Sequence, residues 1–285
     1  MSGCRVLGAI LVAAALGLCS AFAAQLPPHA LVYLETLARF RGEPASVQVV
    51  FYEVRYQEGR DSYGVGVSVR QPDGQEIARA TDDQTGLGLY EGTGIYDVTG
   101  DGWPEVIMIG VAGAKTLEAT IYEYRSGRLR EIRRWSGWRV RVITLGEQPV
   151  VAYTPSQYGS LAELYVWQGE KFIESSGQFP EFYGPDIDLQ EWILSHPDGF
   201  PVYVILQACE LGARALVYGK KYSEARQLCL KALEVARSSP GLIASQIGAP
   251  PEVLRADRNK AERRIQKTLE RISKAREQGR SRLPD

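Results

Sequence analysis

The feature that most constrains the fold is a series of short segments, between residues 47 and 168, in which apolar and polar residues alternate. Alternation puts apolar side chains on one face of a β-strand, and the segments are rich in the β-branched and aromatic residues that strands favour. We predict seven strands, at 47–56, 63–71, 105–111, 118–125, 138–145, 149–154 and 162–168. Turn signals separate them at Pro72-Asp73-Gly74, Ser126-Gly127, Gly146-Glu147 and Gln168-Gly169. Because no long helical pattern lies between these strands, they indicate antiparallel sheet.

Part of this pattern repeats. The segment ATIYEYRSGRLREI (119–132) matches AELYVWQGEKFIES (162–175), 43 residues later, and a weaker third copy falls in 47–80. Each of the two matching segments is a strand with two aromatic residues, a glycine turn and a second strand. A period of this length is typical of a four-stranded propeller blade. The alternatives are a partial propeller, a sandwich of blade-like sheets, and a ring closed by another chain.

The N-terminus predicts export from the cytoplasm. Arg5 precedes a long apolar stretch, and Ala21-Phe22-Ala23 has small residues where a signal peptidase cleaves. We predict that residues 1–24 are a signal peptide and that the protein is secreted or periplasmic. Two alternatives are an uncleaved membrane anchor, since 6–24 could just span a bilayer, and lipidation at Cys19, which Leu18 disfavours. The formal net charge of −1 argues against nucleic acid as a partner.

The expected organisation after the signal is an N-terminal helix (25–44), a propeller-like β domain (45–185) and a helical domain (200–280). The helix is predicted from the spacing of Leu31, Leu34, Leu37 and Ala38, which would share one helical face. From about residue 200 the apolar period becomes helical, with helices expected within 202–240 and a third at 252–278.

The helical part resembles a tetratricopeptide repeat, a family of helical hairpins that bind other proteins. The residues that carry the resemblance are Leu211-Gly212, Gly219, Tyr222, Ala225, Ala232 and Pro240. The distance from Gly212 to Ala225 is one residue longer than that family's usual pattern. After signal cleavage the remaining cysteines are Cys209 and Cys229, which a hairpin turning near 219–220 would place opposite each other. The two cysteines could form a disulfide bond, or they could be free and pack as small apolar residues between the helices.

The loop at 97–105 has the residue pattern of a metal-binding site. In Asp97-Val98-Thr99-Gly100-Asp101-Gly102-Trp103-Pro104-Glu105, oxygen-bearing side chains occupy positions 1, 3, 5 and 9, and an apolar strand follows. Calcium takes six to eight oxygen ligands, which such a loop can supply. The predicted metal ligands are the side chains of Asp97, Thr99, Asp101 and Glu105 and the carbonyl of Trp103. A metal-free Asp/Gly turn is the alternative.

The same loop resembles the calcium loop of the FG-GAP and VCBS repeats of integrin-like propellers. The resemblance covers 97–110 closely and the rest of 45–180 only in rhythm, and it implies one structural calcium ion held chiefly by Asp97 and Asp101. Thr99 stands where that family usually has Asn or Asp, which implies weaker binding. An EF-hand is excluded, because Met108 occupies its twelfth position and the flanking segments are strands.

No catalytic residues are predicted. His29 and His196 lie at a helix start and in a Pro/Gly-bounded loop, and no nucleophile elbow or phosphate-binding loop is present. We therefore expect a non-catalytic binding or scaffold protein whose partner is a protein or an envelope polymer. The alternatives are an extracellular hydrolase with an unrecognised carboxylate site and a membrane-anchored envelope component.

The two repeated units are rich in aromatic residues. We expect most of these side chains in the core, and the alternative is an outward-facing platform that binds a glycan or a peptide. The residues are Tyr122, Tyr124, Trp135, Trp138, Tyr165 and Trp167.

Overall fold

A computed structural model describes residues 26–27, 29–55, 63–82, 88–157, 160–197, 200–238 and 251–283. Twelve strands occupy the first two thirds of these residues. They are β1 (Ala30–Ala38), β2 (Val47–Arg55), β3 (Tyr63–Arg70), β4 (Glu76–Asp82), β5 (Gly94–Tyr96), β6 (Glu105–Gly113), β7 (Thr116–Arg125), β8 (Arg128–Gly137), β9 (Arg139–Leu145), β10 (Gln148–Thr154), β11 (Glu163–Gln168) and β12 (Lys171–Glu174). All seven strands expected from the sequence are present within one or two residues.

The strands form three antiparallel sheets of four, and in each sheet every strand pairs with its neighbours in the chain. The first sheet is β1–β4, the second β5–β8 and the third β9–β12. The predicted turn at Gly74 joins β3 to β4, and those at Gly127, Gly146 and Gly169 join later strand pairs. All four glycines have positive φ, between 64° and 88°, which glycine adopts without strain. The repeated segments are the third and fourth strands of the second and third sheets.

The three sheets pack face to face in chain order. Val106 and Met108 of β6 lie in one core cluster with the first sheet. Ile107 and Ile109 of the same strand lie in another cluster with the third sheet. Alternate side chains of a strand point to opposite faces, so the middle sheet is buried on both faces. This explains why β6 contains an unbroken apolar run, VIMIGV, at 106–111.

In the part of the chain that the structure describes, four α-helices follow the third sheet: α1 (Gly184–Ser195), α2 (Val202–Tyr218), α3 (Tyr222–Ser238) and α4 (Pro251–Glu277). The far face of the third sheet, which includes Val150 and Leu164, shares a core cluster with Tyr183 and with Ala215 and Tyr218 of α2. The helices have a second core of their own. The fold therefore contains a β-sheet region followed by a helical region, and residues of both regions share one core cluster where they meet.

The predicted N-terminal helix (25–44) is wrong, because β1 occupies this segment and pairs with β2 along Ala30–Ala38. Leu34 and Ala38 pack inward as expected, but residues four apart share a face in a strand as well as in a helix. Leu31 and Leu37, which the helical pattern would bury with them, are 46% and 73% exposed.

Several predictions fall on residues outside the described ranges. The signal peptide (1–24) is one, and Pro240 at the end of the helical repeat is another. Within the described ranges, no helix combines the length and apolar character needed to cross a bilayer.

Candidate functional site

The acidic loop connects β5 to β6 at one end of the second sheet. Gly100 and Gly102 have φ of 72° and 85°, a left-handed backbone that favours glycine. These two glycines allow the chain to reverse direction within eight residues. The strands on either side, β5 and β6, are antiparallel neighbours, and Tyr96 pairs with Glu105. The sequence pattern therefore marks a tight and well-defined loop.

The two aspartates accept hydrogen bonds from the loop backbone. The N–H groups of Gly100 and Gly102 donate to the two oxygens of Asp97, at 2.7 and 2.9 Å. The Trp103 N–H donates to Oδ1 of Asp101 at 2.9 Å. The Arg41 guanidinium lies 3.9 Å from Oδ2 of Asp101, and both side chains are exposed, so this ion pair is weak.

Glu105 lies beneath the loop and is only 3% exposed. Its Oε2 accepts the N–H groups of Val98 and Thr99 at 2.9 and 3.2 Å, and its Oε1 accepts the Thr99 hydroxyl at 3.2 Å. Burial raises the pKa of Glu105 to about 7 against the opposing effect of these hydrogen bonds, and the charge of Asp101 raises it further.

The predicted ligands thus belong to one loop, but its three carboxylates already accept hydrogen bonds from backbone N–H groups, and Glu105 also accepts one from the Thr99 hydroxyl. In the described part of the chain, no three His, Cys, Asp or Glu side chains are grouped so that they could hold a metal ion. The donor chemistry still fits a hard cation, since carboxylate, hydroxyl and carbonyl oxygens of Asp97, Thr99, Asp101, Trp103 and Glu105 surround one short turn. Within the described residues no Lys or Arg forms an ion pair with Glu105.

A cleft of about 480 Å³ adjoins the loop. One wall is Thr99 and Gly100, and the other is the β9–β10 turn with Trp167 of β11. A methyl group added to Gly100 would lie 3.6 Å from the Pro149 ring. The loop therefore lies next to the β9–β10 turn of the third sheet, with the cleft between them.

Most of the aromatic residues singled out in the sequence belong to the core. Trp135 is buried, with the rings of Tyr165 and Phe172 at 5.5 and 5.2 Å. Tyr124 is buried against Phe40 at 4.6 Å. Tyr122 is also buried, which leaves the half-buried Trp138 and Trp167 beside surface clefts.

A second group of carboxylates surrounds Arg134 of β8. Its guanidinium lies 2.9 Å from Asp82 of β4 and 3.1 Å from Glu131. Glu118 lies 3.4 Å away. This network joins the first and second sheets.

His196 follows α1, with its Nδ1 3.0 Å from the Trp192 carbonyl and its ring stacked on Trp192.

Sequence comparison adds no family to these observations: no protein-family model matches the chain, and no curated protein is significantly similar to it.

Proposed function

We propose that the protein is a secreted or periplasmic binding protein without catalytic activity, in which one calcium ion stabilises the 97–105 loop. In this proposal the three sheets are propeller-like blades of the FG-GAP or VCBS type, and the helices are a tetratricopeptide-like module. Both types of module serve as binding scaffolds. The binding role is carried by one observation, the apolar edge strand β1, and the calcium site is carried by Glu105.

Glu105 supports the calcium site because its carboxyl group is buried and, among the described residues, no Lys or Arg forms an ion pair with it. A buried carboxylate loses the stabilisation that water gives to its charged form. A cation in the loop would restore that stabilisation and would also relieve the repulsion from Asp101. The oxygens that accept loop N–H groups retain further lone pairs for a metal.

Calcium binding is tested by thermal unfolding of residues 25–285 with calcium, with magnesium and with a chelator. A ligand that binds only the folded state at 100 times its Kd adds about 2.7 kcal/mol, which raises Tm by roughly 5–10 °C in a chain of this size. We expect this rise for the parent in calcium and a much smaller one in magnesium, which demands near-ideal octahedral geometry and gives up its water reluctantly.

The control for this experiment is a variant in another Asp-containing turn. Asp97→Ala/Asp101→Ala should lose the calcium response, and Asp73→Ala should retain it. Asp73 lies in the β3–β4 turn, where it accepts the Gln75 N–H at 2.9 Å. If calcium and the chelator give the same Tm for the parent, the loop is a metal-free turn and the calcium proposal fails.

Strand β1 supports a binding role because it forms an apolar edge of the first sheet. It is the terminal strand of the first sheet, so one edge is not paired with any strand of the described residues. Three apolar side chains on it are about half exposed or more, Leu31, Val32 and Leu37. The strand contains no Lys, Arg or Pro, the residues that commonly block an edge, although a bulge at Tyr33 interrupts its register.

The occupant that fits such an edge best is an extended segment of a partner protein. An added strand would satisfy the free backbone groups of β1, and alternate apolar side chains of the segment could pack against Val32 and Leu37. A flat polymer without backbone amide groups would satisfy far fewer of these donors and acceptors.

The test is site-specific photo-crosslinking in cells that produce the full chain. A benzophenone residue replaces Leu37 in one variant and the exposed Leu230 of α3 in the control. We expect one protein adduct from position 37 and only background from position 230. The adduct should also disappear when Val32→Lys is added, because the charge would be buried by the incoming strand.

Two results would contradict this proposal. Equal crosslinking at positions 37 and 230 would show that β1 is not a preferred surface. An adduct of twice the mass of the chain would identify a second copy as the occupant, so that β1 forms a homodimer rather than a site for another protein.

A further inference from the structure

The two cysteines of the helical region face each other in its core. Cys209 lies in the middle of α2 and Cys229 in the middle of α3, and their Sγ atoms are 3.0 Å apart. Both are fully buried and belong to the cluster that joins α2 and α3 to α4. A disulfide bond is about 2.0 Å long, so the two sulfurs need to approach by only about 1 Å.

Small residues hold the two helices close at this position. Gly212 lies one turn after Cys209, and a methyl group on it would collide with Leu228. Ala225 and Ala232 flank Cys229 on its buried face. Because side chains one turn apart share a helix face, this small-residue surface sets the spacing between α2 and α3 and keeps the cysteines opposite each other.

We propose that Cys209 and Cys229 form an intramolecular disulfide bond that ties α2 to α3. The oxidant is a second disulfide, either a small molecule such as oxidised glutathione or a disulfide-bearing protein. One cysteine thiolate attacks the oxidant and releases its first thiol. The other cysteine then attacks the mixed disulfide and releases the second thiol. Two protons and two electrons leave the cysteine pair, and the oxidant is reduced to two thiols.

The surroundings make this bond structural rather than a rapid switch. The hydrogen bond between the two thiols and their burial raise the pKa of Cys209, which disfavours the reactive thiolate. Neither sulfur is accessible to a reagent in the folded helices. Exchange therefore requires α2 and α3 to separate, so the bond should form during folding and resist reduction afterwards. This inference depends on the geometry of the helices and not on the calcium loop or on β1.

Peptide mapping of the full chain tests the bond directly. The protein is refolded in oxidised and reduced glutathione, unfolded in an alkylating agent and digested with trypsin. Cleavage after Lys171, Arg214, Arg226 and Lys231 places Cys209 in peptide 172–214 and Cys229 in peptide 227–231. We expect these peptides to be linked, two hydrogens lighter than their sum, and to carry one alkyl group each after reduction. Cys4 and Cys19 fall in other peptides.

Thermal unfolding measures what the bond contributes. Closing a loop of about 20 residues should raise Tm by roughly 5–10 °C relative to the reduced protein. The matched control is Cys209→Ala/Cys229→Ala, which keeps Cys4 and Cys19 and should show no Tm change with reductant.

Three results would overturn the proposal. One is full alkylation of both cysteines after oxidative refolding, and another is a link from either cysteine to a second chain. The third is a linked peptide whose reduction leaves Tm unchanged, which would contradict the structural role. The mapping needs no variant, so a variant that fails to fold leaves the test intact.

Discussion

At the scale of single residues, Glu105 connects the acidic loop to the core of the sheets. Its carboxylate receives two backbone N–H groups and one hydroxyl from the loop while its backbone pairs β6 with β5. The side chain therefore holds the shape of the loop even when no cation is present. A metal would act on a loop that is already folded.

We expect Glu105→Ala to destabilise the protein in the presence of a chelator. The substitution leaves the N–H groups of Val98 and Thr99 without an acceptor, and unsatisfied donors of this kind cost about 1–3 kcal/mol each when buried. Because the Val98 N–H is buried and the Thr99 N–H only partly buried, the free energy of unfolding should fall by about 2–4 kcal/mol. Glu105→Gln keeps one carbonyl oxygen and should lose about 1 kcal/mol. Urea unfolding in the chelator measures both changes.

Glu170 provides the matched control, since it is exposed in the turn between β11 and β12. Glu170→Ala should change the free energy of unfolding by less than about 0.5 kcal/mol. An equal effect of the two alanine variants would mean that the Glu105 hydrogen bonds do not hold the loop.

The sequence locates this loop but does not predict how its side chains point. The spacing of Asp97, Asp101 and Glu105, with Gly100 and Gly102 between them, is sufficient to predict a tight turn followed by a buried strand. The inward direction of Glu105 is set by the closure of β5 on β6 and by the packing of the loop on Pro149. The approach of Gly100 to Pro149 joins residues that are distant in sequence, so a local pattern cannot reveal it.

At the scale of elements, the sequence predicts every central strand but only some of the edge strands. Strands such as β6 and β10 carry apolar residues on the faces they bury, and their periodicity is clear. Strand β1 is exposed along much of its length, so its leucines satisfy a helical pattern as easily as an extended one. Strands β4 and β5 were not predicted individually, because β4 buries only small or partly polar side chains and β5 has three residues. Pairing with a neighbouring strand decides the conformation of all three.

The junction between the third sheet and α2 should be sensitive to alkaline pH. Tyr183 donates its hydroxyl proton to the Ala162 carbonyl at 2.8 Å and stacks on Tyr218. Burial raises the pKa of Tyr183, and the nearby Tyr218, Glu174 and Asp186 raise it further. The folded protein therefore keeps this proton to a higher pH than the unfolded chain, in which tyrosine titrates near pH 10.

The sign of the pH effect follows from that difference. The stabilisation is fully present below about pH 10 and is lost as pH rises above it, because the unfolded chain ionises first. Tyr183→Phe should cost about 1 kcal/mol at pH 8 through its lost hydrogen bond, but it should lose less stability than the parent between pH 9 and pH 11. Chemical unfolding across this range measures the two slopes. Tyr203→Phe, at an exposed position of α2, should keep the parent's slope, and a parent-like slope for Tyr183→Phe would contradict the prediction.

At the scale of the whole molecule, the chain is a stack of layers in which each sheet packs on the next and the last one packs on helices. The clusters between the layers contain residues from both neighbours, and none of the three sheets has a core of its own in the described residues. The expected boundary between a β domain (45–185) and a helical domain (200–280) therefore crosses a shared interface. Tyr183, Ala215 and Tyr218 pack there against the third sheet.

Because of this shared interface, we expect the sheets and the helices to unfold in one cooperative transition. Trp192→Phe removes the one tryptophan of the helices, so fluorescence then reports Trp103, Trp135, Trp138 and Trp167 in the β region. Circular dichroism at the helical minimum reports α1–α4. The two midpoints should coincide, as two-state unfolding requires.

A cavity at the interface makes the test sharper. Leu164 of β11 is fully buried against the helices, and Leu164→Ala should cost about 2–5 kcal/mol. Leu230→Ala, at an exposed position of α3, is the matched control and should change little. If the layers form one unit, Leu164→Ala lowers the fluorescence and helical midpoints equally. A lower fluorescence midpoint with an unchanged helical midpoint would mean that the helices fold independently, and the 185/200 boundary would then separate two true domains.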